Sequence, residues 1–276
     1  MDHFNSELGK LSSYDRCYNP DRLISIQRSG QRSTLGLSAN DSPPFFGADV
    51  WTHYEVSWLN PRGKPMVAVA VIIYDCSTPS IVESKSLKLY FNGLNNTSFE
   101  SMGALEQIIK QDLSRCIASD VSVVLTGLEQ TPCAIQSNFI GESLDGLDIA
   151  CSVYTVEPEF LSTTEEYAQE VLYSDLLRSN CLVTGQPDWG SVSVAYHGRK
   201  INHEGLLKYL VSFRNHQEFH EHCIERIFMD ISNRCSPTWL TVTGRYTRRG
   251  GLDINPTRSS SPIQLQKNID LRLIRQ

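Results

Sequence analysis

Apolar residues recur along this chain with two different periods. Residues 51–60 and the uninterrupted apolar run 66–74 read as strands, and Asn60-Pro61-Arg62-Gly63-Lys64-Pro65 between them is built for a tight reversal, so the pair predicts a β-hairpin. Leu105, Ile108, Ile109, Leu113 and Cys116 then follow helical spacing, and Val121-Ser122-Val123-Val124-Leu125 reads as a returning strand. The second half repeats this order. Residues 180–184 and 191–196 flank the turn Gly185-Gln186-Pro187-Asp188-Trp189-Gly190, residues 206–211 are a short helical stretch, Ile224, Ile227, Phe228 and Ile231 mark an amphipathic helix, and Leu240-Thr241-Val242-Thr243 alternates. Residues 1–48 are polar and punctuated by Asn19-Pro20, Ser29-Gly30 and Ser42-Pro43-Pro44; they read as an irregular arm.

The recurrence extends to individual residues. Ser114-Arg115-Cys116 corresponds to Asn233-Arg234-Cys235, and the same spacing pairs Leu105 with Ile224, Ile108 with Ile227, Val123 with Val242, Leu87 with Leu206 and Tyr90 with Tyr209. Arg-Cys after the same helix and before the same strand makes an internal duplication the better reading. The expected organisation is an arm over 1–48, a first module over 49–155 and a second over 156–276, each a hairpin, helices and a returning strand. The copies differ in polar content: Glu83-Ser84-Lys85-Ser86 stands where the second half has Asn202-His203-Glu204-Gly205, and Phe219-His220-Glu221 stands where the first has Glu100-Ser101-Met102. Complementary losses would suit a site assembled from both halves, and drift on a solvated face would give the same pattern.

The 276 residues are 40% hydrophobic and 20% charged, enough for a true core, and the net charge of −6 weighs against a dedicated nucleic-acid binder. The apolar run 66–74 is too short to span a bilayer, and Met1-Asp2-His3-Phe4-Asn5 has neither a basic nor an apolar leader pattern, so a cytoplasmic protein without membrane contact is expected. Of the eight cysteines, Cys17, Cys76, Cys116, Cys133, Cys151, Cys181, Cys223 and Cys235, no two have CxxC spacing, which argues against a zinc knuckle and a redox pair.

Four segments could carry chemistry. In Cys181 through Gly190 a cysteine precedes a Gly/Pro reversal closed by Asp188, which can set a nucleophile beside a proton donor; a buried thiol with a loop-capping aspartate is the plainer alternative. In Phe213 through His222, Asn215 and Glu218 have the pattern of a capping box, so a helix is expected to start there; His216 and His220 are four apart, yet HExxH is absent and no metal is expected. Glu221 would be a carboxylate near that helix start, able to accept two N–H donors from a planar heterocycle. In Glu83 through Tyr90, lysines and hydroxyls could bind phosphate, although an edge strand with solvated lysines fits the pattern better. Around Arg245-Tyr246-Thr247-Arg248-Arg249-Gly250-Gly251, arginines and glycines suit a pyrophosphate or ribose phosphate, or simply a basic surface loop. Neither a dinucleotide fingerprint nor a P-loop is present.

Together and in this order the four segments resemble the NADPH-dependent 7-cyano-7-deazaguanine reductases, the nitrile reductases of queuosine biosynthesis, in their long two-module form, from Leu35-Gly36-Leu37 through Asn255-Pro256. The resemblance implies an α+β fold of tandem tunnelling-fold (T-fold) units, antiparallel sheets with helices on one face, in a homodimer without metal. It implies reduction of a nitrile to a primary amine by two NADPH through a covalent thioimide on Cys181, with Asp188 protonating the nitrile nitrogen and His220 covering the site and assisting proton transfer. Val82, Glu83 and Ser84 would line the base pocket with His220 and Glu221, and Ser84, Lys85, Arg249 and Gly250 would approach the NADPH. Tested against this are a cysteine hydrolase or cyclohydrolase on a purine- or pterin-like ring, which would need no NADPH, and a silent binding module for tRNA or a pterin, which would tolerate loss of Cys181 and Asp188.

Overall fold

A computed structural model describes residues 17–38, 42–130, 134–262 and 271–276 of the chain. Met1 through Asn5 and Cys133 lie outside the described residues. The chain divides into two compact units, the first made of residues 1–41, 50–132 and 248–253 and the second of residues 42–49, 133–247 and 254–276.

The first unit contains β1 (Ser25–Gln27), α1 (Arg28–Arg32), most of β2 (Phe46–Leu59), β3 (Pro65–Asp75), β4 (Ser80–Val82), α2 (Ser84–Leu94), α3 (Met102–Ile117) and β5 (Ser122–Thr126). β2 and β3 are the expected hairpin. Asn60 closes it by accepting the N–H of Arg62 and Lys64 through its side-chain oxygen, and Gly63 takes the left-handed conformation (φ 79°) that the reversal needs. β5 returns antiparallel to β3, from Val69 opposite Thr126 to Ile73 opposite Ser122. α3 buries Leu105, Ile109 and Leu113 of the expected stripe together with Ile117, leaves Ile108 and Cys116 half-buried, and packs against β5 and β4.

Two expectations fail in this unit. The described residues 17–38 are not an irregular arm: β1 pairs with β4, Ser25 opposite Val82 through Gln27 opposite Ser80, and α1 follows with Arg28 buried on Thr78. Three residues are too few for a periodic signal, and the long-range partner supplies the stability instead. Residues 84–94 are not an edge strand but helix α2. Its cap is Glu83, whose carboxylate accepts the backbone N–H of Lys85 and Ser86 at 2.7 and 2.8 Å. Capping by glutamate is uncommon, so the helix start was not read.

The second unit contains β6 (Ala134–Gln136), β7 (Glu142–Ser143), β8 (Thr163–Ser174), β9 (Arg178–Asn180), β10 (Pro187–Ile201), α4 (His203–Ser212), α5 (His220–Cys235), β11 (Trp239–Tyr246), most of β12 (Leu252–Ser259) and β13 (Leu271–Leu273). β10 is flanked by β8 and β11, antiparallel to both. Its main hairpin partner is therefore β8, which the apolar pattern did not reveal because β8 is largely exposed along its first nine residues. Short parallel pairings join β7 to β8 and β13 to β6, whereas β10 pairs antiparallel with β8, β9 and β11, and β11 with β12, as expected of an α+β fold. On the core face Val192, Val194 and Tyr196 of β10 lie opposite Gly244, Val242 and Leu240 of β11, and α5 covers them with Cys223, Ile224, Ile227, Phe228 and Ile231. Arg258, fully buried, is held by Asp49 at 2.8 Å and Glu225 at 2.9 Å.

The duplication holds at the level of elements. α2 and α4, α3 and α5, and β5 and β11 follow one another in the same order in the two units. In each, a tyrosine of the shorter helix donates to an aspartate of the longer: Tyr90 to Asp112 at 2.8 Å, Tyr209 to Asp230 at 2.7 Å. Each longer helix also ends on a non-glycine residue in the left-handed conformation, Ala118 (φ 54°) and Ser236 (φ 47°).

Candidate active site

The second unit gathers Cys181, Asp188, His220 and Glu221 by three local devices. First, β9 and β10 form a short antiparallel ribbon in which Asp188 is opposite Ser179. Cys181 follows β9 directly and opens a loop that closes on itself: its N–H donates to the Gln186 carbonyl and its carbonyl accepts from the Gly185 N–H, with Gly185 left-handed (φ 66°). The Cys181 side chain is half-buried, whereas Asp188 is only 2% exposed. Second, Asn180 bonds the segment leading into α5, donating to the His216 carbonyl at 2.8 Å and accepting from the Glu218 N–H at 3.1 Å. The residue before Cys181 is thus tied to the segment before His220. Third, α5 starts at His220, placing His220 and Glu221 in its first turn.

This start differs from the capping-box expectation. Asn215 ends a turn of 3-10 helix, and Glu218 lies before α5. Its carboxylate instead accepts from His216 Nε2 at 2.9 Å and from the Arg226 guanidinium at 2.9 and 3.1 Å. Burial pushes the Glu218 carboxyl up, but the His216 and Arg226 bonds outweigh it and hold the group below the usual carboxylate range. His216 and His220 therefore do not share a helical face: one ring serves Glu218, and the other lies with Nε2 3.5 Å from Asp188 Oδ1. Glu221 is 1% exposed at the positive end of α5, where a carboxylate is favoured.

Two residues given no role by the sequence patterns border this group. The Tyr246 ring meets the His220 ring edge to face, centroids 4.3 Å apart at 86°. Cys223, one helical turn beyond His220, is wholly buried beside the Tyr246 and Ser179 hydroxyls, and burial pushes its thiol up to about 12. Cys223 is thus an inert thiol at working pH. The only signal for Tyr246 in the sequence is the pair Gly190 and Gly244, whose missing side chains leave room for a ring.

In the first unit Val82, Glu83, Ser84 and Lys85 are contiguous across the β4–α2 junction. Val82 and Glu83 are buried, while Ser84 and Lys85 are half-buried. Burial raises the Glu83 carboxyl above its ordinary value, with the Lys85 and Ser86 N–H bonds opposing it. Lys88, one turn into α2, runs under Gly250: a Cβ there would lie 3.3–3.4 Å from the lysine chain, and Gly250 is left-handed (φ 57°). Arg249 N–H donates to the Leu252 carbonyl, and the Arg248 guanidinium stacks 4.6 Å over the Tyr54 ring. Lysines at a helix start, arginines and a side-chain-free backbone are a donor set suited to phosphate oxygens.

Comparison with known proteins gives the family. The family model "Nitrile reductase, 7-cyano-7-deazaguanine-reductase N-term" matches residues 14–125, and "QueF-like protein" matches residues 187–264. The NADPH-dependent 7-cyano-7-deazaguanine reductase of Legionella pneumophila (strain Corby) is 60% identical over 98% of this chain and 95% of its own length. That of Polaromonas naphthalenivorans (strain CJ2) is 52% identical over 99% and 98%, and that of Coxiella burnetii (strain CbuK_Q154) is 49% identical over 94% and 93%. The apo archaeosine synthase QueF-Like is similar over 37% of this chain and 99% of its own, at 18% identity and a TM-score of 0.31. No helix among the described residues is long and apolar enough to cross a membrane. With half or more of its residues identical to reductases over essentially their whole length, the chain belongs to the NADPH-dependent 7-cyano-7-deazaguanine reductases.

Proposed function

We propose that this chain reduces the nitrile of 7-cyano-7-deazaguanine to the aminomethyl group through a covalent adduct on Cys181, as a homodimer in the cytoplasm. A nitrile carbon is a poor hydride acceptor, and addition of a sulfur turns it into a better one. In this reading the Cys181 sulfur bonds to the nitrile carbon. Asp188 takes up the thiol proton and passes it to the nitrile nitrogen, so the product of the step is a neutral thioimide and Asp188 is again a carboxylate. His220, beside Asp188, shields the adduct from water and relays the protons that the growing amine needs. The observation that carries the reading is the His220–Asp188 pair, 3.5 Å apart with the carboxylate almost wholly buried, on a ribbon that also fixes Cys181.

Glu221 accepts the ring N–H and amino donors of the base, and the family resemblance gives Val82, Glu83 and Ser84 a base-binding role as well. A site built to pair those donors rejects bases that lack them, because a buried carboxylate would be left without its partner. Bound NADPH supplies hydride, two equivalents per nitrile. Ser84, Lys85, Arg249 and Gly250 would hold it, the lysine and arginine charges on its phosphates and the glycine backbone in close approach.

Intact-mass spectrometry after mixing the protein with 7-cyano-7-deazaguanine alone tests the central step. The expected result is one base bound covalently per chain in the wild type and none in Cys181→Ala, which still binds the base reversibly. An adduct in Cys181→Ala, or turnover by that variant, would remove Cys181 from the role. Consumption of two NADPH per amine separates the reading from a hydrolase, which would use none.

A further inference from the structure

We infer that Tyr246 is a positioning residue for the reduction: its ring, lodged in space left by two glycines, sets the His220 imidazole against Asp188. The inference rests on the reading above, in which Asp188 and His220 handle the protons.

The ring is placed with unusual care. Tyr246 ends β11 and lies directly opposite Gly190 of β10, two residues beyond Asp188 and on the same face of the strand. A Cβ on Gly190 would stand 3.1 Å from ring atom Cδ1 and 3.2 Å from Cε1. Gly244, two residues back on β11, is equally closed: a Cβ there would be 3.3 Å from Cε2 of the ring and 2.7 Å from Cδ1 of Ile224. Both positions nearest the ring on its own sheet face are thus emptied of side chain, and the ring fills them. The tyrosine is 1% exposed.

His220 is the residue that gains. It opens α5 after Phe219, which provides no side-chain cap, so the helix start itself does not fix the imidazole. Two contacts do: the edge-to-face packing on Tyr246 and the approach to Asp188. An edge-to-face pair fixes the tilt of a ring as well as its position. Without Tyr246 the imidazole could rotate away from Asp188 into the space vacated. The tyrosine hydroxyl is buried beside the Cys223 thiol, and its tendency to ionise is suppressed by burial and by the nearby Cys223, Asp188 and Glu221.

A double-mutant cycle on the full-length enzyme tests this. Tyr246→Leu is expected to lower kcat by about 10–100-fold with KM for the nitrile little changed, because a misplaced proton-transfer group impairs chemistry before binding. Tyr246→Phe, which keeps the ring, retains kcat within about threefold. In a His220→Ala background Tyr246→Leu adds no further loss, since the group it positions is gone. Gly190→Ala, which pushes a methyl against the ring while leaving the tyrosine in place, reproduces the loss and its cancellation if Tyr246→Leu does not fold. A kcat of Tyr246→Leu equal to wild type, or an undiminished loss in the His220→Ala background, overturns the inference while leaving the role of His220 intact. A wild-type kcat for His220→Ala itself overturns the reading beneath it.

Discussion

Glu83 and Glu221 are both buried carboxylates at helix starts, and their surroundings assign them different work. Glu83 spends an oxygen on each of two backbone N–H groups and so closes the first turn of α2. Glu221 stands inside the first turn of α5, beside His220 and within the field of Tyr246. Glu83→Ala should therefore destabilise the fold by about 1–2 kcal/mol through loss of the cap, a drop in melting temperature that appears without any substrate. The measurement is a urea melt of the two proteins; equal midpoints would mean that α2 does not depend on this cap. The cysteines separate in the same way. Of the eight thiols, the Gly/Pro reversal and the family resemblance single out Cys181. The surroundings add that Cys181 is half-buried at a loop mouth, whereas Cys223 is wholly buried in the core. The reversal between Cys181 and Asp188 could be read from its glycine and proline. The Tyr246 contact could not, because it depends on a cross-strand register and an absent side chain, neither of which has a local pattern.

At the scale of elements, α3, α5 and the strands β2, β3, β5 and β11 were legible because each carries its own local signal, a helical stripe, an alternation or an apolar run beside a turn. β8, β1 and α2 were not: the first is exposed over most of its length, the second is short, and the third carries lysines and a glutamate cap that resemble an edge strand. The repeat sharpens one energetic point. Ala118 and Ser236 both end their helices at positive φ, where a Cβ is crowded by the preceding backbone. Ala118→Gly and Ser236→Gly should each stabilise the protein by about 0.5–1 kcal/mol, additively because they lie in separate units. Calorimetry of the single and double variants checks this, and a destabilisation would show that the left-handed caps carry no strain.

For the molecule as a whole, stability should fall in acid by two routes. His53 is buried against Phe91, and burial, opposed by a bond to Gly251 and aided by Lys88, pushes its ring down to about 4. The unfolded chain binds a proton to this histidine near pH 6.5 and the folded chain does not until about pH 4. Stability is therefore complete above pH 6.5 and declines by about 3 kcal/mol as the pH falls between those values. Glu218 acts lower: its carboxyl is held below the ordinary value, so its contribution is present above that value and is lost as the pH falls through the depressed one. Urea melts from pH 7 to pH 4.5 should slope downward in the wild type and be flatter in His53→Leu. An unchanged slope would place the acid sensitivity elsewhere.

The two hairpins of the duplicated fold differ most in what connects their strands. In the first unit residues 60–64 make a bare reversal between β2 and β3; in the second, residues 175–186 leave β8, form the β9 ribbon with its cysteine, and only then enter β10. A hairpin tip can lengthen without disturbing the layers beneath it, because it lies outside the packed interior. On the proposed reading the nucleophile is thus housed in an appendage to the scaffold, while Asp188 stands on β10 and His220 and Glu221 on α5. Descent from a plain ancestral pair would have required one tip to grow, not two cores to change. An engineer wishing to move the proposed chemistry would transplant the loop with its cysteine and rebuild Asp188, His220, Glu221 and the glycine-bordered Tyr246 on the strands and helix of the host.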